Sequence, residues 1–246
     1  MQAIIPVAGY ATRLYPLTKG TPKALLGIGG KPILDHILEK ITELPDVKEI
    51  TLVTNDTFYQ PFAAWARETN QQQNGLHAAV LNDHTTTNEN RLGMIADLQY
   101  AFKETGIDDD LVIVNGDNLF RFSLVPAHEK FRETGKPVVG LYGGLSKEEV
   151  ANKFGVVEVA DGVIAGFEEK PAQPKTNLIS TGIYFFPKHV ISLVNDYLAG
   201  GNRPDAPGYF LEWLHSRETV LAHVFTEKWF DIGSFEQLEQ ARQEFT

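Results

Sequence analysis

Two basic residues follow a loop of small residues near the start of the chain. An apolar run over 4–7 leads into Ala8, Gly9, Tyr10, Ala11 and Thr12, followed by Arg13 and later by Lys23. Such a loop at the carboxyl end of a buried strand lets backbone N–H groups approach an anion, and Arg and Lys supply permanent charge. The pattern indicates a polyphosphate site, and a plain turn with two solvated basic residues fits this spacing equally well.

Two aspartates follow strand-like segments and stand close to glycine. Asp117 ends Val114-Asn115-Gly116-Asp117, and Asp231 lies in Trp229-Phe230-Asp231-Ile232-Gly233, ahead of a helix-like segment. Open α/β sheets bind ligands at the carboxyl ends of their strands, and Mg²⁺ favours one or two carboxylates with water and phosphate oxygens. Turn formation explains either aspartate taken singly, so both interpretations stay open on this evidence alone.

A third polar cluster is Glu168-Glu169-Lys170-Pro171. Lys170 can neutralise a second phosphate, and Glu169 can accept hydrogen bonds from substrate hydroxyls. The alternation of a strand predicts that the side chains of Glu169 and Lys170 point to opposite faces, and Pro171 predicts an extended backbone at Lys170. A solvated charged loop is the simpler interpretation of the cluster by itself.

Composition and missing motifs restrict the class of protein. The 246 residues carry a net charge of −10, which argues against a nucleic-acid or membrane-surface binder but leaves room for the local cations that one mononucleotide needs. The chain has no cysteine, no apolar run of membrane-spanning length and no basic-then-apolar leader, so we expect a cytoplasmic protein without disulfides. The sequence signatures of P-loop ATPases, dinucleotide enzymes, serine hydrolases and zinc proteases are lacking.

Strand-like and helix-like segments alternate along the chain and must position these residues. The predicted strands cover 3–7, 48–54, 77–81, 110–115, 137–142, 154–160, 163–169, 181–186 and 220–225. The predicted helices cover 33–43, 57–68, 91–104, 124–134 and 188–198, with a last helix after Ser234 and Gln237, which have capping-box spacing. The pattern predicts an α/β protein with a mainly parallel sheet covered on both faces, a hairpin turn at Asp161-Gly162 and a loop over 199–208.

Taken in order, these segments resemble the sugar-1-phosphate nucleotidyltransferases over nearly the whole chain. The motifs that carry the resemblance are Thr12-Arg13-Leu14, Pro16-Leu17-Thr18, Pro22-Lys23-Ala24-Leu25-Leu26, Lys31-Pro32, Gly116-Asp117, Gly155-Val156-Val157, Glu169-Lys170-Pro171, Pro174-Lys175-Thr176-Asn177, Thr181-Gly182-Ile183-Tyr184 and Trp229-Phe230-Asp231-Ile232-Gly233. One such motif is a weak signal, but this many in family order are specific.

The resemblance implies a Rossmann-like, mostly parallel mixed sheet flanked by helices, with a small β-rich sugar-binding lobe. Residues 1–246 would form a single domain, in which 1–145 bind the nucleotide and 146–246 bind the sugar and complete the sheet. The implied reaction is Mg²⁺-dependent transfer of a nucleotidyl group from a nucleoside triphosphate to a sugar-1-phosphate, with release of pyrophosphate. Many members of the family form homo-oligomers.

The resemblance also assigns roles to residues. The loop from Ala8 to Thr12 would wrap the nucleotide, and Asp117 and Asp231 would hold Mg²⁺. The cations that meet phosphates would be Arg13, Lys23 and Lys170. The residues on the sugar side would be Asn118, Gly155, Glu169, Asn177, Thr181 and Tyr184.

Two departures from the family pattern affect detail. Ala8 and Ala11 stand where family loops usually have glycine, and alanine can serve at these positions if their φ angles are negative. The segment 82–93 lacks the usual base-binding motif. Asn82, Asn88 or Asn90 could form hydrogen bonds with a base there, and Gly93 stands near the position of the family glycine. The identity of the base therefore stays open.

Two alternatives remain beside the sugar enzyme. A short cytidylyltransferase acting on phosphocholine would need an aromatic or acidic cage for the quaternary ammonium. A catalytically silent nucleotide-sugar-binding regulator is disfavoured because the expected metal and phosphate ligands are all present.

Overall fold

The computed structural model of the protein describes residues 1–72 and 75–245. Its strands are β1 Gln2–Pro6, β2 Gly27–Ile28, β3 Lys31–Pro32, β4 Glu49–Thr54, β5 His77–Asn82, β6 Leu111–Val114, β7 Asn118–Phe120, β8 Val138–Tyr142, β9 Gly155–Ala160, β10 Val163–Glu169, β11 Ile179–Phe186, β12 Leu221–Phe225 and β13 Trp229–Asp231. Its helices are α1 Ile33–Thr42, α2 Tyr59–Gln71, α3 Met94–Thr105, α4 Val125–Thr134, α5 Lys147–Val150, α6 Val190–Ala199, α7 Pro207–His215 and α8 Phe235–Glu244.

Within the described residues, nine strands form one sheet in the order β5-β4-β1-β6-β11-β8-β12-β10-β9. The first four strands of that order are parallel, with Ile4 paired to Thr51 of β4. β11 enters antiparallel between β6 and β8, and β12 then lies parallel to β8. The hairpin of β9 and β10 completes the far edge. Strands from both halves of the chain therefore share one sheet.

Helices cover both faces of this sheet because the central strands are apolar on both sides. Successive side chains of a strand point to opposite faces, and Ala3 and Ile5 pack in one apolar cluster while Ile4 packs in the other. Buried residues of α1, α2, α4 and α8 join the first cluster, and those of α3, α6 and α7 join the second. Removal of this apolar surface from water is the main force that holds the layers together.

Most predicted elements are confirmed, with shifted ends. The predicted helix 91–104 begins only at Met94, because Gly93 has a φ of 91°, outside the helical region. The Asp161-Gly162 turn joins β9 to β10 with positive φ at both residues, as a tight hairpin requires. Ser234 accepts a hydrogen bond from the Gln237 amide, but the side chain of Gln237 accepts from Gly233 instead of completing a capping box. In the part of the chain that is described, no helix combines the length and the apolar character needed to cross a membrane.

Candidate active site

The carboxyl ends of β4, β1 and β6 lie side by side, and the loops that follow them build the site. Asn55, directly after β4, is fully buried and ties two of these loops together. Its Nδ2 donates to the carbonyl of Ala8 over 2.8 Å, and its Oδ1 accepts from the amide of Phe58. Asn55 thus fixes the position of the loop after β1, a role that sequence analysis missed.

The loop after β1 departs from expectation at Ala11. Its φ of 48° and ψ of 43° are left-handed, so this alanine does not meet the condition of a negative φ. The hydroxyl of Thr18, which is fully buried, donates to the Ala11 carbonyl over 2.9 Å and holds this conformation. The ring of Tyr10 packs against Phe58 in the core, so only its backbone is at hand for a ligand.

Lys23, Asp117 and Asp231 meet in the centre of the site. Nζ of Lys23 lies 2.7 Å from Oδ2 of Asp117, and the two aspartate carboxyls are hydrogen-bonded to each other. Burial raises the pKa of Asp117, but the Lys23 ammonium more than offsets this and holds the pKa below its usual value. Burial and the neighbouring Asp117 charge raise the pKa of Asp231 to about 7. The aspartate pair therefore retains a proton near neutral pH that a cation would displace.

Arg13 approaches the same centre from the exposed side. Its side chain reaches the 231–233 segment, where its Nη2 lies 3.7 Å from the position that a Cβ on Gly233 would occupy. Its charge acts on Asp231 and opposes the rise in the pKa of that carboxyl. Arg13 and Lys23 thus bring two cations to the aspartate pair from different sides.

A first cleft of about 290 Å³ opens beside Asp117. Its walls come from the loop after β1, from the start of α3 and from the loop before α7. Its lining includes Ala8, Gly9, Ala11, Lys23, Gly93, Asp97 and Asp117. Gly93 is required where it stands, because a Cβ there would lie 2.8 Å from the carbonyl oxygen of Pro204 in the loop before α7.

A second cleft of about 140 Å³ lies on the other side of Asp117. The predicted site residues that line it are Asp117, Asn118, Gly155, Glu169, Thr181, Tyr184 and Asp231. Asn115, Asp117 and Pro207 line both clefts, so the two cavities meet at the aspartate pair. Two ligands in these clefts would adjoin each other at the carboxylates.

Glu169 is the buried acid of the second cleft. Its side chain is 8% exposed, and burial raises its pKa against the pull of Lys170. Nζ of Lys170 lies 3.2 Å from Oε1 of Glu169, so the prediction that the two side chains point to opposite faces is wrong. The backbone gives the reason: Lys170 has a φ of 51° instead of the predicted extended conformation, which turns its side chain back toward Glu169.

Other predicted sugar-side residues are held in the protein's own hydrogen bonds. The amide of Asn118 donates to the Thr181 carbonyl and accepts from the indole of Trp229, and the hydroxyl of Thr181 donates to the Gly140 carbonyl. The hydroxyl of Tyr184 lies 3.2 Å from Oγ of Ser180, and burial raises the pKa of Tyr184. These contacts stiffen the wall of the second cleft.

Some predicted site residues lie apart from both clefts in the described structure. Nδ2 of Asn177 donates to the carbonyls of Gly143 and Leu145. The amide of Asn82 bonds Asp56 and the backbone of His84. Their roles in binding stay predictions, as do those of four further residues outside the two linings, Tyr10, Thr12, Arg13 and Lys170.

Three cleft residues had no role in the sequence analysis. Asn115 lines both clefts, Asp97 lines the first and Gly208 lines the second. Asn115 directly precedes the Gly-Asp motif, which was a usable signal. Asp97 lies on a helix whose neighbours are apolar, and nothing in the local pattern distinguishes it from a solvated acid.

An α/β sheet with a small-residue loop, two cations and two carboxylates at its carboxyl edge is an arrangement suited to phosphorylated ligands. The sequence profile described as "Nucleotidyl transferase" matches residues 2–246, and the chain belongs to that family. The predicted resemblance and the predicted enzyme class, nucleotidyltransferase, are thereby confirmed. Enzymes of this family generally use a divalent metal ion.

Two curated relatives illustrate the range of the family. A UTP–glucose-1-phosphate uridylyltransferase of Haloferax volcanii is 29% identical over 197 residues, which cover 76% of this chain and 72% of the relative. The catalytic subunit beta of a mannose-1-phosphate guanylyltransferase of Drosophila pseudoobscura is 28% identical over 236 residues, covering 94% of this chain and 59% of the relative. The chain spans only 44% to 51% of three further relatives.

A solved structure confirms the fold class. A crystal structure of a candidate glucose-1-phosphate thymidylyltransferase from Bacillus anthracis, in complex with a sucrose, has a TM-score of 0.85 to this chain at 24% identity. The match covers all of this chain and 95% of the other. The predicted α/β architecture with a mixed sheet flanked by helices is thus correct.

Proposed function

We propose that this protein transfers a nucleotidyl group from a nucleoside triphosphate to a sugar-1-phosphate and releases pyrophosphate. The observation that carries the proposal is the meeting of two clefts at Asp117, with Lys23 and Asp231 in contact with it. The first cleft would take the nucleotide and the second the sugar phosphate. The reacting phosphates of both substrates would then meet beside the carboxylates and the cations.

The residues present fit a Mg²⁺ ion between Asp117 and Asp231. The two carboxyls lie close enough to repel each other unless a proton is bound between them. A divalent cation can take the place of that proton and remove the repulsion. No third His, Cys, Asp or Glu joins them among the described residues, which suits an ion that keeps water and phosphate oxygens as ligands. When bound, Mg²⁺ supplies positive charge to the phosphates.

The remaining chemistry is positioning and charge stabilisation by the chain. An oxygen of the sugar-1-phosphate attacks the α-phosphorus in line, and the bond to pyrophosphate breaks with its electron pair leaving on pyrophosphate. The attacking oxygen is already ionised near neutral pH, so the chain needs no general base. Lys23 and Arg13 would stabilise the developing charge, and Lys170 would hold the sugar phosphate.

The second cleft also supports cytidylyl transfer to phosphocholine as a second candidate. The aromatic side chains of Phe154, Phe167, Tyr184 and Trp229 line it together with Glu169. Aromatic faces and a buried carboxylate are the groups that bind a quaternary ammonium. The sugar assignment is preferred because a sugar phosphate has partners for both neighbouring side chains. Glu169 can accept hydrogen bonds from sugar hydroxyls, and Lys170 beside it can bind the phosphate.

The test is a matrix of the common nucleoside triphosphates against several sugar-1-phosphates and phosphocholine, following Mg²⁺-dependent release of pyrophosphate. We expect turnover with at least one sugar-1-phosphate. Turnover with phosphocholine alone would replace the sugar assignment, and no turnover in the whole matrix would favour a regulator without catalysis.

Three further properties belong to this proposal. We place the protein in the cytoplasm, where nucleoside triphosphates are supplied. We expect no nucleic-acid partner, which agrees with the net charge of −10. The sheet shared by both halves supports a single domain over 1–246.

A further inference from the structure

Two buried carboxyl groups form part of the structure around the first cleft. Asp97 lies in the first turn of α3 and is 4% exposed, and Asp83 follows β5 and is 6% exposed. Asp97 lines the cleft, on the same side as Gly93 and Met94. Buried carboxyls are rare unless they are paired or bound to something.

The hydrogen bonds around this acidic pair are incomplete. Oδ1 of Asp83 accepts from the amide and from the hydroxyl of Thr85, each over 2.7 Å. In the described part of the chain, neither Oδ2 of Asp83 nor Oδ1 of Asp97 receives a hydrogen bond from an N–H or hydroxyl donor, and both atoms are buried. The two carboxyls are hydrogen-bonded to each other, and burial and the charge of Asp83 raise the pKa of Asp97 to about 8.

This geometry leaves one oxygen of Asp97 as a bare acceptor. A proton shared by two carboxyl groups lies between their facing oxygens, whichever residue holds it formally. The second oxygen of Asp97 then has lone pairs and no proton. No N–H or hydroxyl of the described residues donates to this oxygen, so a ligand that brings an N–H group to it would add a hydrogen bond that the protein does not supply.

The position of Asp97 in the cleft indicates which part of a ligand it meets. Lys23 and Asp117, the groups suited to phosphates, line the same cleft from the loop after β1 and from the end of β6. Asp97 belongs to the wall contributed by α3, together with Gly93. A nucleotide with its phosphates at Lys23 would bring its base to this α3 wall.

We propose that Asp97 selects the nucleobase, so that the cleft prefers a base with an exocyclic amino group (cytosine, adenine or guanine) over uracil and thymine. The inference rests on the proposed function. An amino group donates N–H to the free oxygen of Asp97, as carboxylates accept from the amino group of cytosine. At C4, where cytosine carries its amino group, uracil and thymine carry a carbonyl oxygen, which places acceptor against acceptor.

The first test measures binding without turnover. Calorimetric titration of the unaltered protein with CTP, ATP, GTP, UTP and dTTP, each with Mg²⁺, gives dissociation constants whatever the second substrate is. We expect at least one amino-bearing nucleotide to bind about tenfold or more tightly than both UTP and dTTP. Equal or tighter binding of UTP or dTTP would overturn the inference.

The second test uses matched variants. Asp97→Asn keeps the size of the side chain but adds N–H donors, so the ratio of kcat/KM for the preferred nucleotide to that for UTP should fall about tenfold, mainly through KM. Asp205→Asn is the control, because Asp205 is an exposed acid on the same cleft and its neutralisation leaves the buried pair intact. An unchanged ratio in Asp97→Asn would overturn the inference, as would an equal fall in Asp205→Asn.

The outcomes separate this inference from the proposed function. Turnover with UTP or dTTP as the best substrate would leave the nucleotidyltransferase standing and remove the role of Asp97. Absence of binding by all five nucleotides would overturn both. If Asp97→Asn does not fold, Asp83→Asn removes the shared proton by changing the other carboxyl of the pair. The ratios of dissociation constants of the unaltered protein test the inference without any variant.

Discussion

Ala11 shows how one residue carries backbone strain in the loop that faces the first cleft. A non-glycine residue in the left-handed region costs roughly 1–2 kcal/mol, and Ala11 has a φ of 48°. Ala11→Gly should therefore raise the free energy of unfolding by about 0.5–1 kcal/mol, measured by urea denaturation. Ala8→Gly is the control, since Ala8 is buried without a positive φ and should lose stability. Equal destabilisation by both changes would contradict the strain argument.

Asp117 is the residue on which both clefts converge, and its charge is expected to matter more than its shape. Asp117→Asn keeps the volume but removes the negative charge beside Lys23 and Asp231. We expect kcat to fall by about 100-fold or more, as for other lost electrostatic contacts in active sites. Pyrophosphate release at saturating Mg²⁺ measures this. Asp161→Asn, in the exposed turn after β9, is the control, and near-normal turnover of Asp117→Asn would refute the site.

Asp97 makes stability depend on pH. Its folded pKa of about 8 lies above the unfolded value of 3.8, so the folded protein binds one more proton between these limits. That contribution is complete below pH 4 and is lost as pH rises toward 8, with a slope of about 1.4 kcal/mol per pH unit. Denaturation at pH 5, 6.5 and 8 should show that the free energy of unfolding falls less steeply with pH in Asp97→Asn than in the unaltered protein. Parallel curves would contradict the raised pKa.

At the level of elements, the start of α7 is packed against the acid of the second cleft. A Cβ on Gly208 would overlap Oε2 of Glu169 and lie 2.8 Å from the ring of Phe167. Gly208→Ala should therefore displace Glu169 and raise KM for the sugar phosphate several-fold, with KM for the nucleotide less affected. Steady-state kinetics checks this against Gly20→Ala, where a Cβ meets no atom within 4 Å. Equal effects on both KM values would argue against this specific contact.

The same helix shows where sequence reasoning stops. Pro207 and Gly208 were assigned to a loop, yet proline is favoured at the first position of a helix, and Phe210, Leu211 and Leu214 form its buried face. The meeting of Asp117 and Asp231 was predictable from the family motifs, although Asp231 ends β13, which pairs with β7 outside the nine-stranded sheet. The pairing of Asp83 with Asp97 was not, since it depends on how a loop lies against a helix.

For the whole molecule, the position of β11 makes the two halves interdependent. β11, from the second half, lies between β6 and β8 of the first half and pairs with both. A fragment of residues 1–145 would expose both of those strand edges, so we expect it to unfold without a cooperative transition. Thermal denaturation followed by circular dichroism tests this, with the full chain as the control. A cooperative transition in the fragment would show that 1–145 is an independent domain.

The wall that the two clefts share has a thermodynamic consequence. Asn115, Asp117 and Pro207 contact both cavities, so a ligand that shifts them in one cleft alters the affinity of the other. Binding free energies obey reciprocity, so the factor by which a ligand in the first cleft changes the affinity of the second equals the factor in the opposite direction. The order in which the substrates arrive is therefore a kinetic property only. The coupling between them is one free energy, to which the three residues shared by the clefts contribute.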